Sequence, residues 1–150
     1  MVKLYLETNE FAIEDMLLNA SDYSNLNFVC NDTIDGIDEE RVELGQNYGY
    51  LVHYGLDLFT CVKTRIYDLL KTNSNLTLCI DNLSNWLLGI DQDATTIEQM
   101  YTEYQVDELR EFILVLVKES NKHDISLLCN DYMLQFIVDT IDINDYTLID

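Results

Sequence analysis

Apolar side chains occupy every second position in residues 2–7 and again in residues 26–30. This period of two is that of a strand with one buried face. The Asp35-Gly36 pair after the second segment marks a turn. Residues 146–149 favour a further strand near the end of the chain. The pattern therefore predicts a small sheet built from residues 2–7, 26–30 and 146–149.

Most of the remaining chain carries apolar residues at steps of three and four, which is the spacing of a helix with one buried face. The predicted helices cover residues 9–20, 38–72, 82–89, 97–104, 109–117 and 124–137. The last of these has the cleanest apolar stripe, with Asp124 as its candidate N-cap. Residues 76–80 fit either a short strand or the start of a helix. We expect a mixed α+β fold, mostly helical, with about five to six helices and the small sheet.

Length and composition are those of one folded domain. The 150 residues match the size of an ordinary domain, and hydrophobic residues make up 48% of them. Proline is absent, and no low-complexity segment divides the chain. We therefore predict a single acidic globular domain over residues 1–150. The four cysteines are widely spaced in apolar surroundings, which favours buried free thiols.

The charge balance is the strongest functional signal in the sequence. Acidic residues number 28 and basic residues 8, for a formal net charge of -20. Small domains are usually designed with a net charge of magnitude about 2–8, and stronger self-repulsion destabilises the compact state. A composition rich in Asn, Tyr and Ile is typical of AT-rich coding sequence and normally brings abundant Lys, yet the chain has only five. Both observations favour a strongly positive partner over acidity that serves solubility alone.

The acidic residues are concentrated in three groups. The first lies in residues 32–43, where Arg41 is the only basic residue. The second lies in residues 91–111 and is opposed by Arg110. The third follows His123, after which the chain has no Lys or Arg. Carboxylates three or four residues apart on a helix lie about 5–6 Å from each other, which is comparable to the several-ångström spacing of phosphates along DNA.

Signals of catalysis are weak. The chain has no GxSxG elbow, no Walker loop and no GxGxxG fingerprint. His53 lies in an apolar helical stretch and is better explained as structural, and a dyad of His123 with Cys129 is supported only by the presence of both residue types. The segment from Asn31 to Val42 resembles a calcium loop, but Val42 stands where a bidentate Glu is needed. We predict no enzymatic activity, no cofactor and no metal site.

A folded surface of ordered carboxylates can occupy the Lys/Arg groove of a protein that handles nucleic acid. In size and charge, over its whole length, the chain is similar to the acidic DNA-mimic proteins of phages and mobile elements, which block restriction or CRISPR nucleases. The resemblance implies a non-enzymatic inhibitor of a basic, nucleic-acid-binding protein such as a nuclease. The residues predicted to contact this partner are Asp35, Asp38, Glu39, Glu40, Glu43, Asp139, Asp142 and Asp145.

Two alternatives fit the same composition. One is an immunity protein or antitoxin for a basic nuclease toxin, and the other is a general protein–protein adaptor whose acidity serves solubility. Direct binding to nucleic acid is disfavoured, because the phosphates would repel this surface. The first residues lack the apolar stretch of a signal peptide, and no apolar run approaches the roughly 18 residues of a membrane span. We therefore expect a cytoplasmic protein without a membrane partner, whose Tyr-rich helices are compatible with a homodimer seam as well as with a core.

Overall fold

The computed structural model describes residues 1–20, 26–29, 58–80 and 96–149 of the chain. Its strands are β1 (Val2–Leu6), β2 (Leu26–Val29), β3 (Thr77–Ile80), β4 (Asp124–Cys129) and β5 (Tyr146–Ile149). Its α-helices are α1 (Ala12–Leu18), α2 (Leu58–Thr72), α3 (Ile97–Met100), α4 (Glu103–Glu119) and α5 (Asp131–Thr140), and a 3-10 turn covers Ile143–Asp145. The predicted mixed fold of helices and strands is thus confirmed, although its sheet is larger than expected.

The five described strands form one sheet in the order β2-β3-β4-β1-β5, and all four pairings between them are parallel. Parallel neighbours cannot be joined by a tight turn and need a longer crossover connection, and the one between β3 and β4 contains α3 and α4. Two of the predicted strands, β1 and β5, are direct neighbours. The third, β2, lies at the opposite edge of the sheet and is separated from β1 by β3 and β4.

Side chains on successive residues of the strands point to opposite faces of the sheet. The register pairs Leu4 with Leu127 and Tyr5 with Leu128. Leu4 and Leu127 belong to the larger core, to which α2, α4 and α5 contribute. Tyr5 and Leu128 belong to a smaller core with Met16 of α1. Helix α1 therefore covers one face of the sheet, and α2 to α5 cover the other.

The pairing of β3 and β4 inside the sheet explains where the sequence-based prediction was wrong. Residues 124–129 form a strand, and the predicted helix over 124–137 begins only at Asp131. Every residue of β3 and five of the six residues of β4 are buried. Parallel strands covered on both faces lose the alternation of polar and apolar positions, so their sequence is a nearly continuous apolar run. Asn130 separates strand from helix with an extended backbone, and its side chain accepts a hydrogen bond from the Met133 N–H (2.9 Å).

The stripe predicted over residues 97–104 is divided between two helices. Helix α3 ends at Met100, Tyr101 and Thr102 are extended, and α4 then runs on through the predicted stripe at 109–117. The break reorients the chain, so that α3 packs beside α5 while α4 packs on the sheet core. Helix α1 begins at Ala12, about three residues later than predicted.

Helix α2 confirms the last part of the helix predicted over 38–72. The rest of that segment and the helix predicted over 82–89 lie outside the described residues. The described residues place core side chains on both faces of the sheet, and the acidic helices α3 and α5 carry exposed residues at the surface.

Candidate partner-binding surface

A surface groove with a volume of about 280 Å³ lies between α3 and α5. Its lining residues are Thr96, Ile97, Glu98, Asp131, Tyr132, Gln135, Phe136 and Asp139. A second depression of about 310 Å³ is lined by Glu98, Glu103, Val106, Asp107 and Arg110. Glu98 lines both depressions, so they adjoin, and we refer to them together as the acidic groove. Its carboxylates come from three helices, whereas Arg110 is the one basic side chain among its lining residues.

Local capping places the carboxylates of α3 and α4. The Thr96 hydroxyl caps α3 by accepting a hydrogen bond from the Gln99 N–H (3.3 Å), and this fixes the helical turn that carries Glu98. Thr102 and Gln105 form a capping box at the start of α4. The Thr102 hydroxyl accepts a hydrogen bond from the Gln105 backbone N–H, and the side-chain Oε1 of Gln105 accepts one from the Thr102 backbone N–H. Capping boxes satisfy two backbone donors reciprocally. The first turn of α4, with Glu103, is therefore rigidly placed beside α3.

Helix α5 presents a polar stripe to the groove. Asp131, Gln135 and Asp139 recur every four residues on one helix face, and eight residues of helix place the two aspartates about 12 Å apart along the axis. The Gln135 amide donates a hydrogen bond to Asp139 Oδ1 (2.9 Å), which orients that carboxylate. Met133 and Ile137 on the opposite face, together with the buried Phe136 beside the groove, anchor the helix in the core. The acidic stripe is thus held by a buried framework.

The C-terminal turn of α5 concentrates negative potential. Asp139 lies in this last turn, which has no basic residue. The free carbonyl groups at a helix C-terminus carry roughly half a negative charge, and an acid there is destabilising. Departures from local stability rules are expected where a surface serves function. Asp139 is therefore an acidic residue at a position where local helix stability favours a basic one.

Arg110 is already engaged within the protein. Its Nη1 lies 3.0 Å from Asp107 Oδ1, one turn earlier on α4. Its guanidinium carbon lies 5.6 Å from the centre of the Phe136 ring on α5. This arrangement joins an ion pair to a cation–π contact. It leaves Glu98, Glu103, Asp131 and Asp139 without an ion pair among the residues that the structure describes.

The structure separates the predicted contact residues from one another. Asp139 lines the acidic groove and is exposed. Asp142 and Asp145 instead lie at the 3-10 turn before β5, where the Asp145 carboxylate accepts a hydrogen bond from the Asp142 N–H (3.2 Å) and the Asp145 N–H donates to the Asp142 backbone carbonyl (2.9 Å). These two aspartates do not line the groove. The predicted contacts Asp35, Asp38, Glu39, Glu40 and Glu43 lie outside the described residues.

Other groove residues were not among the predicted contacts. Glu98, Glu103 and Asp107 belong to the acidic group at 91–111, which was visible in the sequence. The sequence did not show that the helix is interrupted at Tyr101. This interruption places Glu98 in the same depression as Asp131 and Asp139 of α5. The aromatic wall formed by Tyr132 was also missed, because its position was assigned to the buried stripe of a longer helix.

His123 has a structural role between α4 and β4. Its side chain is buried, and its Nδ1 accepts a hydrogen bond from the Leu76 N–H (3.0 Å), while Nε2 lies 3.8 Å from a Glu119 carboxylate oxygen. A dyad with Cys129 does not form, because Cys129 lies at the far end of the extended strand β4, six residue steps or about 20 Å from His123. His123 therefore ties the start of β3 to the α4–β4 connection.

Two cysteines are buried free thiols, as predicted for that residue type. Burial raises the pKa of Cys79 and of Cys129 from 9.0 to about 12. A thiol with so high a pKa is almost entirely protonated at neutral pH and is a poor nucleophile. Cys79 and Cys129 thus belong to the packing of the sheet, and the exposed carboxylates remain the chemically distinctive groups of the described surface.

Across residues 1–20, 58–80 and 96–149, no three His, Cys, Asp or Glu side chains are grouped as metal ligands. None of the described helices has the length and apolar character needed to cross a bilayer. Comparisons with protein-family models, with curated proteins and with solved structures found no match for this chain.

Proposed function

We propose that this protein is a non-enzymatic inhibitor that binds a basic, nucleic-acid-handling protein through a shaped acidic surface. In this role it is an anti-restriction or anti-CRISPR protein of the DNA-mimic type, whose carboxylates take the place of DNA phosphates in the Lys/Arg groove of a nuclease. The acidic groove is part of that surface. The predicted contacts within residues 32–43 are a second part of it.

One observation supports this proposal above the others. Five exposed carboxylates from three helices line the acidic groove, against a single arginine that is itself paired. A solvated helix face in a protein of this size normally intersperses charges of both signs. The remaining described basic residues lie on β1, on α2, and at or after the end of α4. Charge is therefore segregated in space as well as unbalanced in total.

The scaffold favours recognition over simple solubility. An acidic tail would repel itself and stay extended, whereas these carboxylates project from helices that are positioned by the Thr102–Gln105 capping box, the Thr96 N-cap and a packed core, and Gln135 orients Asp139. Fixed charges of one sign steer an oppositely charged partner and raise its association rate. They also avoid the ordering cost that a flexible chain would incur on binding.

The proposal is tested by capture and competition. The immobilised protein is incubated with lysate of its native host at low and at high salt, and the eluted protein is identified. We expect a basic nuclease that is retained at low salt, released at high salt, and displaced by added duplex DNA, because DNA and the inhibitor compete for one surface. The purified nuclease should lose activity when the protein is added.

A charge variant provides the control. In it, Asp35, Asp38, Glu39, Glu40 and Glu43 are replaced by the corresponding amides, and we expect weaker, less salt-sensitive capture. Retention that DNA does not displace, or that the amide variant leaves unchanged, would contradict the proposal and favour an adaptor whose acidity serves solubility alone.

A further inference from the structure

The α5 half of the acidic groove combines carboxylates with an aromatic wall. Tyr132 lies on α5 next to Asp131, and its side chain is 38% exposed. Glu98 on α3 and Asp139 on α5 line the same depression. Cation–π attraction requires a cation over a ring face, and a carboxylate beside the ring adds a charge-assisted hydrogen bond. The depression thus offers both kinds of contact to one cationic side chain.

The protein's own Arg110 shows how a guanidinium fits at this surface. It lies over the Phe136 ring and pairs with Asp107, so aromatic and carboxylate contacts are made together. Phe136 also lines the α5 half of the groove. The α5 half of the groove has side chains of the same types, with Tyr132 as the ring and Asp131, Asp139 and Glu98 as the carboxylates.

We propose that the α5 half of the acidic groove binds arginine side chains of the basic partner, in preference to lysine. This inference rests on the proposed function and adds the chemistry of recognition at one site. A guanidinium is planar, stacks on aromatic rings and pairs with carboxylates in a two-pronged geometry, whereas an ammonium is a compact and strongly hydrated point charge. The depression has a volume of about 280 Å³, which is enough for one side chain that projects from a partner surface.

The test uses two synthetic helical peptides of equal length and net charge, one with arginine at every basic position and the other with lysine. Their dissociation constants for the full-length protein are measured by fluorescence anisotropy at low and moderate salt. We expect tighter binding of the arginine peptide, by about threefold for each arginine engaged in a cation–π contact. In the variant Tyr132→Leu the preference should fall by about that threefold factor, because the carboxylates remain, while affinity for the lysine peptide stays unchanged.

Tyr104→Leu is the matched control. Tyr104 is 74% exposed on α4 and does not line the groove, so the same substitution should leave the arginine preference intact. Equal affinities of the two peptides, or a preference that Tyr132→Leu leaves undiminished, would overturn the arginine site. If salt-sensitive binding of both peptides persisted, the acidic-surface function would still be supported. Failure of both peptides to bind at low salt would overturn both proposals.

Discussion

Titratable side chains in the described part of this protein include thiols and a tyrosine that burial keeps protonated, and carboxylates that are exposed to solvent. Burial raises the pKa of Cys79, Cys129 and Tyr67 to about 12. For Tyr67, the charges of Glu111 and Glu108 add to the effect of burial. These two thiols and this phenol therefore stay protonated and neutral at physiological pH.

The raised thiol pKa values predict a loss of stability in alkaline solution. In the unfolded chain the thiols release their protons near pH 9, whereas in the folded protein Cys79 and Cys129 hold theirs until about pH 12. Because the unfolded state binds fewer protons in this window, the free energy of unfolding should be unaffected by these groups below pH 9. It should then fall between pH 9 and 12, by at most about 1.4 kcal/mol per pH unit for each thiol.

Urea unfolding midpoints measured from pH 8 to 11 check this expectation. The variant Cys79→Ala should show a shallower decline above pH 9, whatever its stability at neutral pH. A free energy of unfolding that stays constant or rises over the same range would contradict the burial of these thiols.

The groove residues show what a sequence can and cannot reveal about single side chains. The acidic groups at 91–111 and after His123 were apparent from the pattern of charges. The pattern could not distinguish Asp139, which faces the groove, from Asp142 and Asp145, which lie at a 3-10 turn. The three aspartates follow one another at similar spacing in the sequence, and only the backbone conformation shows which of them lines the groove.

Among the structural elements, the amphipathic helices were predictable and the buried strands were not. Helix α4 has one buried face, so its three- and four-residue spacing survives in the sequence. Strand β4 is buried on both faces, and its apolar run merged with the stripe of α5 into one apparent helix. The pairing of β1 with β4 depends on long-range register, which local periodicity does not encode.

The break between α3 and α4 depends on Thr102, and its removal should be measurable. Thr102→Ala deletes the hydroxyl that accepts the Gln105 N–H, so we expect the free energy of unfolding to fall by about 1 kcal/mol. Chemical denaturation followed by circular dichroism measures the change. The matched control is Thr64→Ala on the exposed face of α2, where the hydroxyl only bonds back to the Thr60 carbonyl. That substitution should change stability by no more than about 0.5 kcal/mol, and an equal effect of both would contradict the capping role.

The molecule as a whole combines a conventional two-sided core with an unusual charge distribution. A net charge of -20 opposes compactness, and the acidic C-terminal turn of α5 adds a local cost. The packed sheet and helices tolerate both. Such a cost is understandable if the charge is the functional property and the fold serves to hold it in a defined shape.

The claim that shape matters, and not bulk charge alone, is tested by the association rate of the captured nuclease across a range of ionic strengths. Two triple variants remove the same charge: Glu98→Gln, Asp131→Asn and Asp139→Asn in the groove, against Glu10→Gln, Glu14→Gln and Asp68→Asn at exposed positions elsewhere. We expect the rate constant of the unmodified protein to fall steeply with salt. The groove variant should associate more slowly and with a shallower salt dependence, while the control variant stays close to the unmodified protein. Equal losses in the two variants, or a rate that does not depend on salt, would contradict a shaped acidic surface.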